Sequence, residues 1–175
     1  MNTTTETTCP ICGSTNTQFS GTTHTHAEIE YKLHKSPNCG TSYWEPRFID
    51  PEFYRQDTCN QHFSHDTNNH LSPWLDFTKS KELQSIFMTA TSLLDIGCGN
   101  GSFLSTLTKY NLDLTGVDMD AVAIKAAKTN SPNTRFLTKS VDELVSDPDH
   151  IGRYDVICVF EVLEHQVNPV EFLEK

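Results

Sequence analysis

The chain has 175 residues, 36% of them hydrophobic, and carries 13 Lys and Arg against 23 Asp and Glu for a formal net charge of −10. That length holds one ordinary domain, or a small module plus part of a larger one. The negative charge repels phosphate-dense surfaces, so nucleic acid and an anionic membrane are excluded as first partners. Met1 to Thr8 has neither the basic start nor the apolar run of a signal peptide, and no apolar stretch reaches spanning length; a cytoplasmic location is expected.

Residues 1–49 are rich in Thr and His, with β-like pieces such as "EIEYKL" and a turn at "SPNCG", and predict a small β module. "CPICG" sets Cys9 and Cys12 in the turn of a zinc knuckle, where two thiolates converge on one ion. A second knuckle begins at "SPNCG", but Ser36 stands where a partner of Cys9 belongs and only Cys39 remains. Three cysteines do not close a tetrahedral site. His34 is the nearest candidate for the fourth ligand, with His24, His26 and Cys59 behind it, so the expected metal set is Cys9, Cys12, His34 and Cys39. The competing reading is a degenerate module that packs without metal.

Residues 50–72 cluster turn-formers without any period and read as a linker, with His62, His65 and His70 solvated. From Pro73 the pattern changes. Leu83, Ile86, Phe87 and Ala90 share one helical face, and strands then alternate with helices: "SLLDI", a helix over 102–110, "LDLTGV", a helix over 121–128, "TRFLT", a helix over 141–145, "YDVICVF", and a helix from Pro169. This alternation predicts a parallel α/β sheet with helices on both faces, residues 73–175 forming one domain. Cys98 and Cys158 fall in a glycine turn and a strand and are expected to be reduced and structural. "YDVICVF" would be left as an open edge near the end of the chain, which predicts a C-terminally incomplete domain and raises self-association through that edge.

The run "LLDIGCGNGSF" carries the chemistry. A strand, a tight glycine turn and a helix let a ligand approach backbone N–H groups. The dinucleotide fingerprint needs Gly or Ala at position 102, where this chain has Ser102, and no Gly-Lys-Ser/Thr follows for a phosphate-binding P-loop. Asp95, at the carboxyl end of the strand, opposes a pyrophosphate: two like charges about 4 Å apart repel by roughly 4 kcal/mol at an intermediate dielectric. The same carboxylate attracts an ammonium or a sulfonium, and S-adenosylmethionine carries both. Asp118, ending the next strand in "LTGVDMD", is placed to accept hydrogen bonds from two ribose hydroxyls, while Asp120 reads as a helix cap.

"LLDIGCGNGSF", "LTGVDMD", "RFLTKSVDEL" and "YDVICVFEVLEHQVNP" together resemble the successive motifs of class I S-adenosylmethionine-dependent methyltransferases, in the branch with a Glu-His pair after the fourth strand. The resemblance covers roughly residues 75–175. It implies a Rossmann-like sheet in the order 3-2-1-4 and a cofactor site in which Asp95, Gly97, Cys98, Gly99 and Gly101 line the methionine part. Asp118 would bind ribose, Met119 would pack on adenine, Ser140 and Val141 would meet the adenine edge, and Phe160 would close the pocket. Many relatives have Asp in place of Ser140, which here also fits a capping box with Glu143. Glu161, Glu164 and His165 follow the fourth strand; His165 is the candidate general base, the alternative being that these residues only shape the pocket floor. The amino-terminal segment likewise resembles the zinc ribbon that some of these enzymes carry.

The expected function is methyl transfer to a small-molecule acceptor. The alternative is an inactive or regulatory fragment that joins a zinc ribbon to a remnant cofactor fold.

Overall fold

A computed structural model describes residues 7–26, 28–47 and 75–175. The expected linker, with Cys59, His62, His65 and His70, lies outside the described residues. Among those described, the chain divides into two compact units, one combining the amino-terminal segment with Leu163–Lys175 and the other ending at Val162.

The first unit is a three-stranded antiparallel sheet of β1 (Gln18–His26), β2 (Ile29–Lys35) and β3 (Ser42–Glu45), in that order. The register sets His34 opposite Phe19 on one side and Tyr43 on the other. Arg47 pairs with Glu45 at 2.8 Å and donates to the Val167 carbonyl at 3.3 Å, tying the end of the β segment to the carboxyl-terminal one. That segment holds a 3₁₀ turn at Leu163–His165 and a short helix at Pro169–Leu173, opened by the Asn168 cap and a proline in its first turn.

The second unit alternates as the sequence predicts: α1 (Lys81–Thr89), β4 (Ser92–Ile96), α2 (Ser102–Leu107), β5 (Asp113–Asp118), α3 (Ala121–Asn130), β6 (Arg135–Thr138), α4 (Val141–Val145) and β7 (Val156–Val159). All neighbouring strands are parallel and run β6-β5-β4-β7, the expected 3-2-1-4. Caps start the helices where the sequence offers them. Ser80 accepts from the Leu83 amide, Asp120 accepts from the Val122 amide, and Ser140 forms a complete capping box with Glu143.

Strand alternation splits the core into two layers. On one face Leu93, Leu114 and Phe136 pack with Phe103, Leu104 and Leu107 of α2 and Ile124 and Ala127 of α3; on the other Leu94 and Val117 pack with Leu144 of α4. Each fully buried leucine contributes about 1.5–3 kcal/mol, so α2, which sinks Leu104 and Leu107, is held mainly by this burial. β7 departs from the buried strand expected of "YDVICVF". Val156 and Cys158 pack against the first layer, but Ile157 is 58% exposed on the opposite face.

Gly116 in the middle of β5 is a packing requirement. A Cβ there would lie 2.7 Å from the Phe136 ring and 2.8 Å from Cys98 Sγ, closer than real contacts allow. Gly116→Ala is therefore expected to lower stability by about 1–3 kcal/mol, read as a drop in urea midpoint; an unchanged midpoint would show that ring and thiol yield freely.

Candidate cofactor site

The site is built where β4 and β5 end. Beyond Ile96 the backbone turns through Gly97, Gly99 and Gly101, all with positive φ. Gly97 is the most constrained, because its φ is 76° and an added Cβ would collide with the Val162 side chain. The amides of the turn are consumed within the protein. Gly97 N and Cys98 N both donate to the Val117 carbonyl, at 2.8 and 3.1 Å, and Gly101 N donates to Cys98 O at 3.0 Å. Gly99 N donates to Asp118 Oδ2 at 2.9 Å, and Ser102 N to Asn100 Oδ1 at 3.1 Å. A phosphate cradle needs these donors aimed outward. Here five of them are turned inward, with β5 taking three.

Two carboxylates dominate the electrostatics. Asp95 lies in β4 between Gly116 of β5 and Cys158 of β7 and is only 2% exposed. Burial first, and then repulsion from Asp118, pushes its pKa up to about 8. Asp118 is also raised, chiefly by burial, against the opposing effect of the Asp120 and Gly99 amides that donate to it. The thiols beside them respond in the same sense: burial and then Asp95 raise Cys98 and push Cys158 up to about 12. Both are free thiols, as expected of structural cysteines.

Around this pair, Met119 is 67% exposed immediately after Asp118, and Val141 is half-buried at the start of α4. Ser140 is committed to its cap: its Oγ accepts from the Glu143 amide at 3.2 Å while its own amide donates to Glu143 Oε2 at 2.7 Å. Phe160, after β7, packs edge-on against Phe103 at 4.9 Å and Phe77 at 5.3 Å. This aromatic group was not legible in the sequence, since its members lie in three separate segments and follow no period. Glu161 next to it is exposed with φ 55°, an uncommon conformation for a non-glycine residue. His165 is exposed in its 3₁₀ turn and belongs to the other compact unit.

In that unit the structure brings Cys9, Cys12 and Cys39 together, with sulfurs all within 4.8 Å of one another. Hydrogen bonds from Thr41, foremost its side chain, lower the Cys39 pKa to about 6, which favours its thiolate. His34, expected as the fourth ligand, is not in this group. Its position one residue before the end of β2 turns the ring onto Tyr43, stacked at 5.9 Å, and against Phe19 at 5.9 Å. Its Nδ1 is buried without a hydrogen-bond partner among the described residues. His24 instead meets Trp44 edge-on at 6.4 Å.

A parallel 3-2-1-4 sheet with Asp95 near the end of its first strand, Asp118 at the end of its second and an inward-bonded glycine turn between them defines a Rossmann-like α/β domain. Residues 51–175 match a family model described as a methyltransferase domain, and the chain belongs to this family of class I S-adenosylmethionine-dependent methyltransferases. It is similar to ubiquinone biosynthesis O-methyltransferases from Marinobacter nauticus, 28% identical over 51% of this chain and 40% of the relative, and from Shewanella halifaxensis, 33% identical over 47% and 36%. Among solved structures it is similar to the plantazolicin methyltransferase BpumL in complex with a monoazolic desmethylPZN analog and SAH. That match has a TM-score of 0.54 and 28% identity over 70% of this chain and 49% of the other. The chain thus spans two fifths or less of the length of these curated relatives. No helix among the described residues is long and apolar enough to cross a membrane.

The raised pKa of Asp95 fixes the sign of a pH effect. The unfolded chain loses this proton near pH 4 and the folded chain near 8, so the folded state binds more protons across that window and stability falls as pH rises through it. The slope reaches about 1.4 kcal/mol per pH unit. Asp95→Asn is expected to flatten the decline, seen as urea midpoints at pH 5, 7 and 8.5 that diverge from the parent; parallel curves would mean that Asp95 titrates normally.

Proposed function

We propose that this chain binds S-adenosylmethionine at the carboxyl ends of β4 and β5 and directs its methyl group to a small-molecule acceptor. The observation that carries the reading is the pairing of buried Asp95 and half-buried Asp118, both with raised pKa, with a glycine turn whose amides are already bonded. Such a site is poor for phosphate and suited to a cation with a ribose. SAH in the BpumL complex supports it.

When bound, the cofactor supplies a methyl group already activated on a sulfonium. The chain's part is placement. Asp95 faces the positive charge of the methionine portion over Gly97, Cys98, Gly99 and Gly101. Asp118, which keeps one lone pair on each oxygen after accepting from Gly99 and Asp120, takes the ribose hydroxyls. Met119 and Val141 flank the adenine, with the Ser140 cap fixing the start of α4 beside it. Phe160, locked between Phe77 and Phe103, excludes water from the methyl group. Displacement at an activated methyl depends on alignment, so most of the acceleration comes from holding donor and acceptor in line. The O-methyltransferase names of the curated relatives support a hydroxyl oxygen as the methylated atom.

By the same reading residues 73–175 carry the cofactor domain, residues 50–72 link it to the module at 1–49, and Cys9, Cys12 and Cys39 of that module hold a zinc ion. The described cysteines are all free thiols, which fits a reducing, cytoplasmic setting.

Calorimetry on the intact chain tests the cofactor assignment. S-adenosylmethionine is expected to bind and ADP to give no heat, and Asp118→Ala should weaken binding about tenfold or more through loss of charged hydrogen bonds. Heat with ADP alone, or none with either nucleotide from a chain shown to be folded, would overturn it.

A further inference from the structure

The two knuckles of the first unit are built alike. In one, the Gly13 amide donates to Cys9 O at 3.0 Å and the Cys9 amide to Ser14 O at 2.9 Å. In the other, the Gly40 amide donates to Ser36 O at 2.8 Å and the Ser36 amide to Thr41 O at 2.9 Å. The offsets are identical, and each knuckle ends on a glycine with positive φ. Ser36 is therefore the structural counterpart of Cys9, and both are buried while Cys12 and Cys39 are exposed.

The donor atoms match as well. Thiolates about 2.3 Å from a tetrahedral ion lie about 3.8 Å apart, and a thiolate and an oxygen donor about 3.6 Å apart. Cys9 Sγ and Cys39 Sγ are 3.6 Å apart, and Cys12 Sγ and Ser36 Oγ are 3.4 Å apart. These two close pairs bring donor atoms of both knuckles together, with the three sulfurs all within 4.8 Å of one another. Thr41 Oγ1 also approaches Cys39 Sγ, at 3.3 Å, but Thr41 is the counterpart of Ser14 rather than of a cysteine, and the His34 ring is taken up by Phe19 and Tyr43.

We propose that Ser36 Oγ is the fourth ligand of a Cys9, Cys12, Cys39 and Ser36 site for a thiophilic divalent cation. This deepens the zinc reading above and rests on it. A neutral hydroxyl is a weaker donor than a thiolate and leaves the site one negative charge short of a four-cysteine centre, so the ion is held less tightly and exchanges more readily.

Cobalt(II), a spectroscopic stand-in for zinc, tests this on the intact chain under a non-thiol reductant. The parent should bind one equivalent with thiolate charge-transfer and tetrahedral ligand-field bands. Ser36→Cys should move the ligand-field bands to longer wavelength and tighten binding, while Ser36→Ala should alter the bands and weaken binding about tenfold. Circular dichroism establishes that each variant is folded. Tetrahedral cobalt bands in the parent that Ser36→Ala leaves unchanged in position and affinity would overturn the serine ligand alone. A folded parent that takes up no cobalt would overturn the metal reading itself.

Discussion

Asp95, buried in β4, and Asp118, half-buried at the end of the neighbouring parallel β5, each make ionisation of their surroundings costly. Asp95 feels Asp118, and Cys98 and Cys158 feel Asp95. A carboxylate buried beside another is a liability to a fold, since hydrophobic replacement of such groups often stabilises. A positive charge placed there would relieve the repulsion between them, and this is the physical basis of the cofactor reading proposed above.

The glycine turn is bonded to this pair's own strands. Its amides close onto Val117 O and Asp118 Oδ2, which locks the end of β4 to the end of β5 and holds the Asp118 carboxylate in place. Gly97 and Gly116 lie close to the same junction for related reasons. One lets the turn pass Val162, and the other lets Phe136 and Cys98 meet over β5. Packing, backbone bonding and electrostatics therefore converge on one short stretch of chain, as expected where a strained element carries function.

Much of this was legible in the residues. The alternation of periods gave the parallel α/β sheet, the family resemblance gave its strand order, and "SVDEL" gave α4 with its capping box, because short-range hydrogen-bonding rules decide the cap. The shortfalls came from distant contacts. The helix expected to reach Tyr110 stops at Leu107, where a tight turn closed by Tyr110 N on Leu107 O swings the Tyr110 ring onto Phe87 at 5.5 Å. β7 is shorter than "YDVICVF". Tyr154 is held by His150 Nδ1 at 2.8 Å, and the Asp155 carboxylate accepts from the Thr91 and Ser92 amides at the start of β4. His34 failed as a metal ligand for a period-two reason: its strand register puts it among aromatic rings. Ser36 was visible as a broken repeat, but only the matched hydrogen bonds of the two knuckles make it the counterpart of Cys9 and set its hydroxyl 3.4 Å from Cys12 Sγ.

The most direct measurement of the central claim is the number of protons exchanged when S-adenosylmethionine binds, obtained by calorimetry at pH 7 in buffers of different ionisation enthalpy. With Asp95 protonated in the free chain, binding of a cation should release about one proton, and Asp95→Asn should abolish that release. Binding with no proton released, or with release unchanged in Asp95→Asn, would contradict an account in which this buried acid receives the charge.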